Sequence, residues 1–191
     1  AGVVTVEEID CPIIEKSSKS SKSSKSKQEV KPCLKMVLSG SNPFYNFFEI
    51  TANDFHDKTI SIDTPPTSIV LVNVVVLEED IGKKINFGHK RSNGIVLVSE
   101  GVAAHNILWN IVDEIDLNLH TPEQDNWAFH GTLLNPYGKM KLKTSKNSPA
   151  VWKGQIFAYS VDADKFDEFE CGGHFAGFAS CENLIPIEDG A

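Results

Sequence analysis

Three short stretches decide the fold: Ile107-Leu108-Trp109-Asn110, Thr132-Leu133-Leu134-Asn135 and Gln155-Ile156-Phe157-Ala158. Set over one another they repeat at offsets of 25 and 23 residues. A second strand begins eight residues into each of the first two units, at Ile115 and at Met140. Each unit closes on a tryptophan, Trp127 or Trp152, and a glycine, Gly131 or Gly154. Irregular repeats of this length with two short strands apiece suit the coils of a solenoid, because one coil cannot bury its inner face alone. The spacing therefore predicts an all-β chain folded as an irregular right-handed parallel β-helix, with Leu108, Leu133 and Ile156 stacked in its core. A β-sandwich is the alternative, since the strand count and hairpin-like spacing suit it too. Asn110 and Asn135 fall at equivalent positions, where an inward asparagine would stack on its neighbour or satisfy backbone at a corner, and a plain turn asparagine is the other reading.

Outward from this repeat the β signal continues. Runs rich in Val, Ile, Leu and Phe at 68–76, 85–88, 95–99, 107–112, 115–119, 129–134, 140–144 and 152–160 are separated by Gly, Pro, Asn and Asp. Residues 115–120 and 139–144 alternate apolar with polar, so each of those strands has one wet face. Helical periodicity is poor; the most helix-like stretch, 44–55, reads equally well as strand and turn.

In 191 residues, 41% hydrophobic and 23% charged, there is enough apolar material for a core independent of disulfides, and a disordered chain is excluded. No apolar run approaches the length of a membrane-spanning helix. Eighteen basic against 26 acidic residues give a net charge of −8, which argues against a nucleic-acid partner. The charge is uneven: between Lys16 and Lys31 six lysines face Glu29 alone, a local +5 that leaves −13 on the remaining residues. This segment carries a Ser-Ser-Lys repeat with nothing to bury, and is expected to be a solvated spacer or a cationic tether. Three divisions follow: an N-terminal segment (1–36), a β-helical domain (37–180) and a C-terminal tail (181–191).

Four cysteines fall as two local pairs, Cys11 with Cys33 and Cys171 with Cys181. An even number at this spacing predicts two disulfides and an oxidising, extracellular or cell-surface location. Reading Cys171, His174 and Cys181 as metal ligands lacks a second ligand arm, so no metal is expected. No cofactor is expected either. His120 and His130 lie near Asp116 and Asp125, and Glu114, Asp116 or Asp125 would supply a carboxylate pair, but no nucleophile elbow, phosphate loop or zinc helix accompanies them. The segment 162–168 is acidic yet has neither the glycine nor the final glutamate of a calcium loop. The expectation is a protein that is not an enzyme.

In order along the chain, Asn42-Pro43-Phe44-Tyr45-Asn46-Phe47-Phe48, Pro65-Pro66-Thr67-Ser68-Ile69-Val70, Val70-Leu71-Val72-Asn73-Val74, Ile107-Leu108-Trp109-Asn110, Gly131-Thr132-Leu133-Leu134-Asn135-Pro136, Trp152-Lys153-Gly154-Gln155-Ile156-Phe157-Ala158 and Gly173-His174-Phe175 resemble the motifs of the choice-of-anchor A domain. The likeness runs from about Val37 to Phe178. It departs at Leu134-Asn135-Pro136-Tyr137-Gly138, where the family has a Leu-Ala-Pro-Asn-Ala turn, and at His174-Phe175, where the order is reversed. The family's N-terminal glycine-rich coils are missing or replaced by the Ser-Lys region, which would leave a strand edge open. The resemblance implies a β-helical, adhesive or structural module of the cell surface. Its partners would be further copies of itself, other surface or matrix components, or a polysaccharide. A polysaccharide- or ice-binding solenoid is the alternative, and a carbohydrate-active enzyme a more remote one.

Overall fold

The computed structural model describes residues 2–9, 33–54, 58–82, 84–87, 102–120, 127–143, 150–162, 168–170 and 175. Thirteen strands lie among them: β1 (Val3–Ile9), β2 (Cys33–Ser39), β3 (Tyr45–Thr51), β4 (Lys58–Asp63), β5 (Ile69–Val75), β6 (Lys84–Phe87), β7 (Ile107–Ile111), β8 (Asp116–His120), β9 (Trp127–His130), β10 (Thr132–Lys143), β11 (Ala150–Lys153), β12 (Ile156–Asp162) and β13 (Glu168–Glu170). Among the described residues every pairing is parallel except that of β1 with β2. The chain is thus a β-solenoid of about four turns, and the sandwich alternative falls, because a sandwich is built from antiparallel pairs.

Each coil has up to three sides. The first side stacks β3, β5, β7, the start of β10 and the start of β12. The second stacks β6, β8, the end of β10 and the end of β12. Strands that lead directly into the first side make the third: β2 with β4, and β9 with β11 and β13. Strand β10 turns the corner between first and second sides without leaving the ladder, and its register with β12 shifts there, between Asn135 and Lys139.

Alternation within strands fills the interior. On the first side Phe48, Val72, Trp109, Leu133 and Ile156 face one another on five successive strands, the first four buried and Ile156 partly so. On the second side Ile85, Leu117 and Met140 form the matching column. The third contributes Phe129 and Trp152, whose rings stack 4.0 Å apart, with Trp109 5.8 Å from Phe129. Aromatic pairs at such separations add about 0.5–1.5 kcal/mol beyond the area they bury.

The repeat read from sequence is correct between β10 and β12, where Leu133 pairs with Ile156, but one residue out between β7 and β10. Leu108 lies opposite Thr132, and Trp109 takes the core place expected of Leu108. A single-residue slip sends alternate side chains to the other side of the wall. Burial alone does not reveal it, because Leu108 and Trp109 are both buried. The second-side repeat is displaced by two, since Met140 pairs with Leu117.

The closing glycines are equivalent as expected. Gly131 (φ +119°) and Gly154 (φ +140°) occupy the same corner of successive coils. A Cβ on Gly154 would sit 2.2 Å from the Gly131 carbonyl oxygen, so the corner is sealed backbone against backbone. The two asparagines part company. Asn110 points outward and donates to the Asn73 side chain at 3.0 Å, a two-rung ladder on the surface. Asn135 is buried and donates to the Ile115 carbonyl oxygen at 3.0 Å, holding the turn into β8. At the N-terminal end β1 covers the edge of β2 with seven antiparallel residue pairs, and Gly2 donates to the Phe47 carbonyl. That side is not left open.

Candidate surface for contact

Residues that point inward on a parallel ladder are spent on the core; whatever the solenoid recognises must be read by those that point outward. On the second side they stand in aligned columns. Lys84 lies opposite Asp116, Asp116 carboxylate accepts the Lys139 backbone N–H at 3.0 Å, and Lys139 lies opposite Ser160. One step along, Asn118 faces Lys141, and Lys141 pairs with Asp162 at 2.6 Å. The four strands hold these columns at the fixed inter-strand spacing, about 14 Å from first to last. Between them is a cavity of about 200 Å³.

The corner next to this side is aromatic. Tyr159 directly precedes Ser160 and is 73% exposed; Tyr137, on the same corner of the previous coil, is 66% exposed. The outer wall of the first side differs. Phe47 and Leu71 begin one outward column, which continues in register to Leu108 and Thr132, both of them buried, and Glu49, Asn73, Asn110, Leu134 and Phe157 form the next. Tyr45 and Phe47 stack at 6.4 Å near its N-terminal end. Neither wall is a regular array of threonines. An open depression of about 580 Å³ lies at the corner of β2 and β4, where the Thr64 hydroxyl is buried without a hydrogen-bond partner.

Of the catalytic candidates, Asp116 is on the outer wall and tied to the Lys139 backbone. Glu114 is exposed, and its carbonyl accepts the Gly82 N–H at 3.1 Å. The His130 carbonyl accepts Trp109 Nε1–H at 2.9 Å, a structural duty. Asp125 and His174 lie outside the described residues, as does the side chain of His120. Among the described residues no three His, Cys, Asp or Glu side chains gather in a metal-binding group. The disulfides also fall outside: Cys11, Cys171 and Cys181 are not among the described residues, and of Cys33 only its backbone place at the start of β2 is described. So does the whole Ser-Lys segment, within 10–32. Sequence reading missed Lys84 and Tyr159; the alternation at 139–144 already marked Lys139 and Lys141 as the wet face of a strand.

A parallel solenoid with rigid outward columns belongs to a class of folds that present regular surfaces for contact. Residues 13–170 match the family model of the "Putative Ice-binding-like adhesive domain", and the chain belongs to that ice-binding-like adhesive domain family. No curated protein and no solved structure matches it. No helix among the described residues is long and apolar enough to cross a membrane.

Proposed function

We propose that the chain is an adhesive module of the cell surface or extracellular space that works by contact and carries out no catalysis. The observation that carries this reading is the family match over 13–170 on a solenoid whose polar side chains are held in fixed columns. The motif order between Val37 and Phe178, which resembles the choice-of-anchor A domain, supports surface display. Two disulfides, Cys11–Cys33 and Cys171–Cys181, fit the same compartment. The partners in this reading are surface or matrix components, further copies of the chain, or a polysaccharide.

Ice is a weaker target for this particular chain. Ice recognition favours flat, regular arrays of small and weakly hydrated groups, whereas the second side bears Lys84, Asp116, Lys139, Lys141 and Asp162. Strongly hydrated charges hold liquid water in place. Self-association has its own support in the opposed charges of 16–31 and the remainder, which would join copies head to tail. Salt would weaken that contact.

Purified protein immobilised on beads tests the main reading. Beads should bind cell surfaces or matrix preparations in a saturable manner, competed by soluble protein; failure to bind any of them removes the adhesive reading. Sedimentation at low and high salt, with and without residues 16–31, tests assembly: a monomer throughout refutes it. Thermal hysteresis comparable to that of an ice-binding protein would overturn the preference against ice.

A further inference from the structure

We infer that the second side, with the tyrosine corner beside it, is a binding site for a neutral polysaccharide. The inference rests on the contact reading above and names its ligand class.

A sugar ring has hydroxyls that both donate and accept, and two faces of C–H groups. The surface offers partners for each. Asp116 and Asp162 accept, Lys84, Lys139 and Lys141 donate, and Asn118 and Ser160 do both. Neither Lys84 nor Lys139 makes an ion pair among the described residues, so their ammonium groups are available to a ligand oxygen. All these side chains come from regular strands in fixed register, not from loops, so their spacing is preset and little ordering entropy is lost on binding. The extent of about 14 Å across four strands suits a short run of linked rings. At the edge, Tyr137 and Tyr159 present amphipathic rings to solvent, the type of side chain that covers an apolar ligand face and keeps its hydroxyl wet.

Charge decides between a neutral and an acidic polymer. Three lysines and two aspartates line the cavity, and one of each is already paired, Lys141 with Asp162. The local field is close to balanced, and the whole chain carries −8. A polyanion would meet a site with a single excess positive charge and, on approach, the repulsive field of the chain's net −8. A neutral chain is not repelled.

The test uses the full chain, a panel of neutral oligosaccharides (cello-, xylo-, manno- and chito-hexaose) and polygalacturonate as the acidic comparison, read by calorimetry and by retardation in polysaccharide-containing gels. Retention by at least one neutral glycan is expected, unchanged in 0.5 M NaCl because no net charge is exchanged. Tyr159→Ala and Lys139→Ala should each weaken it about tenfold, which is about 1.4 kcal/mol, with the melting temperature unchanged since both side chains are exposed. Phe47→Ala, on the first side, should leave it intact. Failure of every neutral glycan to bind, retention of polygalacturonate alone, or binding by both variants as tight as that of the unaltered chain overturns the inference. In each of these cases saturable adhesion to cells would leave the contact reading standing; loss of both would remove both.

Discussion

Replacing Gly154 by alanine should peel the last coil from the solenoid. The new Cβ would lie 2.2 Å from the Gly131 oxygen and 2.6 Å from its carbon, and both are backbone atoms that cannot rotate away. At φ +140° the residue is also in a region that side-chain-bearing residues avoid, costing on the order of 1–3 kcal/mol. Relieving the clash means separating the two corners. That stretches the hydrogen bonds from Gly131 N–H to the Lys153 oxygen (2.8 Å) and from Leu133 N–H to the Gln155 oxygen (2.9 Å), each contributing about 1 kcal/mol. The total is about 3–5 kcal/mol, to be compared with about 5–15 kcal/mol for a whole domain. At about 2–4 °C per kcal/mol for a chain of this size, the melting temperature should fall by about 10 °C. Gly82 is the internal control. Its φ is +73°, but nothing lies within 4 Å of its Cβ position, so alanine there costs only the left-handed penalty of about 1–2 kcal/mol. Urea denaturation of both variants gives the comparison. Because coils interact only with their neighbours, hydrogen exchange in Gly154→Ala should rise first at 156–162 and leave β3 and β5 protected. Equal losses from the two substitutions, or uniform exchange along the chain, would refute the claim that the glycine corner is a point of close backbone contact.

Other side chains give sharper contrasts. Trp109 Nε1–H is bonded to the His130 carbonyl oxygen while Trp152 Nε1–H is buried without a partner; Trp109→Phe should therefore cost about 1–2 kcal/mol more than Trp152→Phe in denaturant titrations. Thr132 is fully buried and its hydroxyl has no partner, so Thr132→Val should raise stability by about 1 kcal/mol, seen as a higher denaturation midpoint. Asn135→Ala leaves the Ile115 carbonyl without its donor and should cost about 1–3 kcal/mol by the same measurement. Peptide mapping without reductant should find Cys11 joined to Cys33 and Cys171 to Cys181, each loop contributing about 3 kcal/mol in the chain-entropy account.

Much of the architecture was legible because a solenoid writes its period into the chain. Gly131 and Gly154 recur at one spacing since the same corner recurs, and Leu133 over Ile156 follows from the same 23-residue step. The step between β7 and β10 was harder. Matching Asn110 to Asn135 was chemically attractive, yet one asparagine is outside the wall and the other inside. Sequence pattern could not object, because Ile107, Leu108 and Trp109 are all buried and alternation is lost there. Strands β1 to β4 were under-read for a different reason. The segment 44–55 packs aromatic residues at adjacent positions, which obscures a period of two, although Asn46, Phe48 and Ile50 prove to be its buried set. The binding surface was only half visible: the wet face at 139–144 is local, but bringing Lys84 and Ser160 beside it takes three coils of correct register.

The antiparallel strand β1 gives the molecule two unlike ends. Every other ladder runs in one direction, so a solenoid extended by stacking would have polarity, like a filament whose subunits all point the same way. At β1 the direction reverses. A second copy presenting its own first coil there would meet a strand of the wrong sense for continuing the parallel ladder, whereas two β1 edges would match each other about a two-fold axis. Strand addition along β1 therefore favours closed pairs over fibres, which makes the reversed strand a built-in stop on that side of the module.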